Sequence, residues 1–254
     1  MRTQIRCIIR LVIILACAAV TAVRSEGEGW TLKAACGANL VRGNSDTTSA
    51  NLELSADRKD AANECHLGAL YAYGETDDEV SEENSKAEGQ YNRLLSERVY
   101  LYLNGKAERD DIAMLDYRVL AGPGAGCYLV KEDDHSLKIE AGVSYLGEKL
   151  TYTDTADDAA TETVEREETT ALRVMERYEG KLGQAKVWQS IEYLPETDDP
   201  EVYLLAAEAG IETLVTDLLS LRVAVTDKYD SDPAPDTKEN DVTIRASLVL
   251  SLGP

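Results

Sequence analysis

The residues of this chain with chemistry to offer are two histidines, a few cysteines, a run of aspartates, a glycine triplet and many charges set between apolar residues. His66 and His135 stand far apart, with no neighbouring ligand at zinc spacing. Asp227, Asp230, Asp232 and Asp236 are a carboxylate cluster of the kind calcium favours. Their spacing does not fit an EF-hand loop, and Pro233 interrupts it, so a solvated acidic hairpin is the better reading. Cys36, Cys65 and Cys127 fall on the apolar side of extended segments and read as small apolar residues. Gly122, Gly124 and Gly126 lie inside an extended segment, not at a strand-to-helix turn, so they do not form a phosphate cradle. No nucleophile elbow or P-loop occurs. The expectation is a protein without catalytic residues, cofactor or dedicated metal site.

One set remains. Glu53, Arg118, Lys138, Glu140, Glu208, Arg222 and Arg245 each sit between outward-alternating apolar neighbours, and Arg98, between Glu97 and Val99, falls on the same polar face as the strand is read. Charges of both signs on one face of a closed wall support two readings. They can pair and brace an interior, or they can line a narrow polar pore whose charged rings set ion preference. Interspersed signs favour bracing.

Either role requires strands that hold these side chains on one face. Residues 241–252, DVTIRASLVLSL, put Val242, Ile244, Ala246, Leu248, Leu250 and Leu252 on one side of an extended chain and mostly polar residues on the other. The same reading along the chain gives twelve strands, at 30–42, 46–58, 62–74, 85–94, 97–109, 112–131, 136–150, 168–181, 184–194, 201–213, 217–229 and 240–252. Segment 112–131 is taken as one strand with a glycine bend and a bulge at Pro123. Connections after odd-numbered strands include long acidic ones, at 75–84, 151–167, 195–200 and 230–239, whereas those after even-numbered strands are tight turns. Tyr71, Tyr73, Tyr117, Tyr145, Tyr193, Tyr203 and Tyr229 gather near the long-loop end, and Trp30 and Tyr178 near the other, as at lipid–water boundaries. This sorting is that of outer-membrane barrels.

Barrel width settles which face looks out. About eight strands already give an interior that side chains just fill. Twelve strands with alanine, valine and leucine inside would enclose a costly dry void. The expected architecture is therefore an all-β, up-and-down antiparallel transmembrane-type β-barrel of about 12 strands, with apolar residues toward lipid and charges inside.

The first residues, MRTQIRCIIRLVIILACAAVTAVRS, read as a secretory signal peptide over 1–22, leaving a barrel domain at 26–254. Leu15 makes Ile14-Leu15-Ala16 a poor lipobox for lipoprotein processing at Cys17. The chain has 254 residues and a formal net charge of −21, from 47 acidic and 26 basic residues. Such an excess argues against nucleic acid as a partner. Much of it falls in the long loops, so outer-membrane lipid is the expected partner and divalent cations could gather at the acidic rim. The sequence leaves oligomeric state open.

Three stretches, GNSDTTSANLELSADRK (43–59), SERVYLYLNGKAERDDIAMLDYRVLAGPGAGCYLV (96–130) and KYDSDPAPDTKENDVT (228–243), in this order resemble the domain-of-unknown-function 481 family, the YdiY-like group of salt-stress-induced outer-membrane proteins. The resemblance implies an exported β-barrel of the cell outer membrane and brings no active site. It also implies an aromatic residue at the end of the last strand, where this chain has Leu252. The alternative is a soluble periplasmic β-barrel that binds a lipid or other apolar ligand.

Overall fold

The computed structural model describes residues 29–41, 47–154, 161–235 and 237–253. The expected signal peptide lies outside them. Twelve antiparallel strands form one closed barrel: β1 (Trp30–Val41), β2 (Thr47–Lys59), β3 (Asn63–Thr76), β4 (Glu79–Leu94), β5 (Val99–Asp110), β6 (Leu115–Lys131), β7 (His135–Asp154), β8 (Thr161–Leu182), β9 (Ala185–Pro195), β10 (Tyr203–Leu214), β11 (Leu219–Asp230) and β12 (Asn240–Leu252). Each strand pairs with its sequence neighbours, and β1 closes on β12 through Leu32↔Leu252 to Cys36↔Leu248. Closure removes sheet edges within the wall and satisfies its backbone amides there.

The wall faces the expected way. On β12, Val242, Ile244 and Leu248 are 55%, 70% and 47% exposed on the outer surface, while Val249, out of phase with them, is fully buried inside. Leu101 and Leu103 on β5, Leu172 and Val174 on β8, and Leu221, Val223 and Val225 on β11 are likewise exposed outward. An apolar exterior with a charged interior inverts the arrangement of a soluble barrel. Tyr71, Tyr117, Tyr145 and Tyr193 are exposed on that exterior. Near the loop end, the Tyr203 ring contacts those of Tyr193 and Tyr229 at centroid distances of 5.4 and 5.6 Å.

Three features differ from the sequence reading. First, β3 ends at Thr76, β4 starts at Glu79, β7 ends at Asp154 and β8 starts at Thr161, so 75–76, 79–84, 151–154 and 161–167 are strand and not loop. The β3–β4 connection is a two-residue hairpin turn in which Asp77 and Asp78 both take positive φ, 53° and 70°. That is the twist a tight hairpin requires. Second, β6 has no bulge at Pro123. Its register irregularities against β7 fall between Leu115 and Tyr117 and between Tyr128 and Val130. Pro123 faces outward, and the glycines serve the inside: a Cβ on Gly124 would overlap the Tyr102 ring, and one on Gly126 the Tyr100 ring. Third, the interior is not wholly polar. Leu120, Leu146, Ala171 and Leu194, with Leu204, make a small apolar layer on the inner wall from β6 to β10.

Candidate functional site

The bore is the site, and period-2 alternation builds it. Each inward residue is flanked by outward apolar ones. Arg173, for example, stands between Leu172 and Val174, and Tyr102 between Leu101 and Leu103.

Toward the turn end, Glu140 is the hub. It is 2% exposed. Its Oε1 accepts hydrogen bonds from Tyr100 Oη at 2.7 Å, Gln90 Nε2 at 2.8 Å and Lys138 Nζ at 3.1 Å. Its Oε2 accepts from Arg173 Nη1 at 2.7 Å, and Arg173 Nε donates to Glu192 at 2.6 Å. Gln90 passes the network to Asn92 at 2.9 Å, Asn92 donates to Glu64 at 3.1 Å, and Tyr128 Oη donates to the same carboxylate at 2.7 Å. A carboxylate this deeply buried needs several donors to remain charged. Together these bonds link β3 through β9.

A second group occupies the opposite wall. Arg222 donates to Glu53 at 2.8 Å and to Glu212 at 2.8 Å. Trp188 Nε1 donates to Glu208 at 2.5 Å, and its ring lies under the Arg222 guanidinium at 5.6 Å. Gly210 leaves room for that indole.

At the loop end, ion pairs cross the bore. Arg118 on β6 donates to Glu148 on β7 at 2.5 Å and to Asp230 on β11 at 2.6 Å. Lys228 on β11 reaches Glu108 on β5 at 3.3 Å. In a ring of twelve strands, β5 and β11 are diametrically opposed. Arg245 on β12 donates to Glu82 on β4 at 2.6 Å. Above this tier the β11–β12 connection turns over the mouth. Ala234 is buried against Leu115 and Leu150, with Met114 and Tyr152 beside them. A cavity of about 110 Å³ remains beneath it, bounded in part by Glu108, Arg118, Leu194, Lys228 and Pro233.

Of the eight residues singled out from the sequence, Glu53, Arg118, Lys138, Glu140, Glu208, Arg222 and Arg245 lie on the inner face in these clusters. Arg98 does not. It lies in the β4–β5 turn, exposed, where its carbonyl accepts from Tyr128 N at 2.8 Å. The alternation is right for an inward residue, but the strand begins one residue later. Sequence reasoning missed Arg173, Tyr100, Tyr102, Tyr128 and Trp188. Arg173, Tyr100, Tyr102 and Tyr128 carry the signal of apolar neighbours on both sides, whereas Trp188 stands between Val187 and Gln189, and the sequence reading places tyrosine at the lipid boundary alone.

The other candidates are dispersed. His66 Nδ1 lies 2.8 Å from Asp57 near the turn end, and His135 Nδ1 lies 2.7 Å from Asp134. Glu132 joins the latter pair, giving three possible ligand atoms within 4.8 Å in an exposed turn. Cys36, Cys65 and Cys127 are free thiols.

A family model described as "Protein of unknown function, DUF481" matches residues 34–252. The chain belongs to the DUF481 family. Among curated proteins, none matches this sequence. Of solved structures, the translocator domain of the autotransporter NalP from Neisseria meningitidis is similar over 93% of this chain and 92% of its own, with TM-score 0.52 and 11% identity. The NanC porin is similar over 87% of this chain and 97% of its own, with TM-score 0.46 and 7% identity. At 11% identity the likeness to the NalP translocator domain is one of fold. This DUF481 chain has the fold of an outer-membrane β-barrel, and its family description names no activity.

Proposed function

We propose that this DUF481 protein resides in the outer membrane after export, as a wall element whose bore is braced nearly shut and passes at most small ions. The observation that carries the reading is the pair of contacts from β11 across the loop-end tier, Lys228 to Glu108 and Arg118 to Asp230. A wide channel has no use for ion pairs that join opposite walls. Planar-bilayer recording tests it. Wild-type protein should show at most minimal conductance steps, and the double variant Arg118→Ala/Lys228→Ala should raise them. Large wild-type steps that the double variant leaves unchanged would refute the bracing.

The exposed apolar belt supports lipid as the partner of the outer surface. It speaks against the soluble, lipid-carrying alternative, which needs the apolar face inside. Release of the protein from envelopes by alkaline carbonate without detergent would restore that alternative. Divalent cations at the acidic rim are a further part of the proposal. Calorimetry with Ca²⁺ or Mg²⁺ that shows neither heat nor a thermal shift would remove them.

A further inference from the structure

β7 and β8 outrun the barrel. Their ladder continues from Leu150↔Glu165 to Asp154↔Thr161. On the far side of β8, pairing with β9 runs from Leu182↔Ala185 to Val174↔Tyr193, with one last bridge at Ala171↔Glu196 and a bond from Thr197 N to Thr170 O at 2.8 Å. Among the described residues nothing pairs with this edge of 161–169, which is about 30 Å long at ~3.3 Å per residue. Thr170 turns its carbonyl toward that edge. By strand alternation, Glu168, Arg166, Val164 and Glu162 turn their N–H and C=O groups the same way. Free edges of this length are normally blunted by lysine or proline. Here 161–169 holds no proline, no lysine and one arginine.

Beside the edge lies a notch in the rim, floored by Leu146, Leu194 and Leu204. Its walls carry Glu148, Glu167, Glu196, Asp230 and Asp232 against Arg118 alone, and Arg118 already holds Glu148 and Asp230. Among the described residues, no lysine or arginine pairs with Glu167, Glu196 or Asp232. We propose that the free edge of β8 and this acidic notch together dock an extended, lysine- or arginine-bearing polypeptide segment of another protein by strand addition. Main-chain bonds to 162–168 supply affinity, and basic side chains entering the notch supply selectivity. A second copy of the same acidic edge is disfavoured by like charge.

The test uses full-length protein folded in detergent micelles and a fluorescent nonapeptide alternating lysine with valine or threonine, read by anisotropy at low salt. Three controls separate the terms: the same peptide N-methylated at alternate residues, its glutamate counterpart, and the variant Arg166→Pro. That substitution removes a donor on the free edge and spares the ladder to β7. Binding of the lysine peptide, with a loss of about tenfold or more on N-methylation or in Arg166→Pro, corresponds to roughly 1.4 kcal/mol of strand hydrogen bonding and supports the proposal. The double variant Glu167→Gln/Glu196→Gln should weaken it further. Equal binding of the N-methylated peptide would reduce the effect to unspecific attraction and overturn the proposal. So would absence of binding, or a dimer of wild-type protein that Arg166→Pro dissolves. Should Arg166→Pro fail to show the gel shift of a folded barrel, the N-methyl comparison on wild-type protein decides alone.

Discussion

Glu140 and Arg173 show how much the interior depends on single partners. Both are almost wholly buried, and each holds the other at 2.7 Å. Removing Arg173 takes one of two cations from Glu140, which keeps Lys138, and leaves Glu192 without its partner; breaking a buried pair costs about 3–5 kcal/mol, whereas neutralising both members costs less. Arg173→Ala should therefore lower the urea midpoint of the folded barrel far more than the double variant Glu140→Gln/Arg173→Gln. A double variant as unstable as the single one would show that the pair contributes net stability of its own. Half of this hub was legible in the sequence, because Lys138 and Glu140 sit between Leu137, Ile139 and Ala141. Arg173 sits just as plainly between Leu172 and Val174. Its central place depends on β8 crossing the membrane at a height that its own residues do not encode.

At the scale of elements, strands such as β7, β11 and β12 were legible from clear alternation, β4 and β9 were ambiguous by it, and strand ends were lost where lipid stops. Segments 79–84, EVSEEN, and 161–167, TETVERE, are strands in the structure. Outside the hydrocarbon both faces of a strand meet water, so period 2 vanishes from the sequence while the ladder continues. The β3–β4 turn illustrates the same limit. Acidic residues at 77 and 78 read as part of a loop, yet they take the left-handed conformations of a two-residue hairpin. Glycine adopts that conformation without the strain a Cβ brings. Asp78→Gly should thus raise the thermal midpoint slightly, by an equivalent of about 0.5–1 kcal/mol, and Asp78→Val should lower it. The opposite order in a melting series would mean that the turn is not of this type.

Over the whole molecule, the two rims should answer acid in opposite senses. In the turn end, Asp60 accepts from the backbone of Ala62 and Asn63, and Asp134 from His135. The backbone bond from Ala62 first of all, and for Asp134 the bond from His135, hold both carboxyls below their ordinary values. A depressed folded-state pKa contributes stability above the unfolded value, and that stability is lost as pH falls through the folded one. In the loop end, burial, and then the neighbouring Glu167 carboxylate, push Glu196 upward. A raised carboxyl contributes its stability below the unfolded value and loses it as pH climbs through the folded one. Acidification from neutrality should therefore tighten the β9–β10 connection, where Glu196 N donates to Val202 O at 3.0 Å and Val202 N to Asp199 O at 3.0 Å. The turns at 60–62 and 132–134 should loosen only below about pH 4, the ordinary carboxylate range. Amide exchange corrected for its intrinsic pH dependence reads both ends in one sample. Glu196→Gln should raise protection of Val202 at pH 7 and leave it unchanged near pH 4. Protection at Val202 that falls together with the turns on acidification would mean that the rim carboxylates are already neutralised by bound cations, and that the crowding of charge on this end is not felt by the fold.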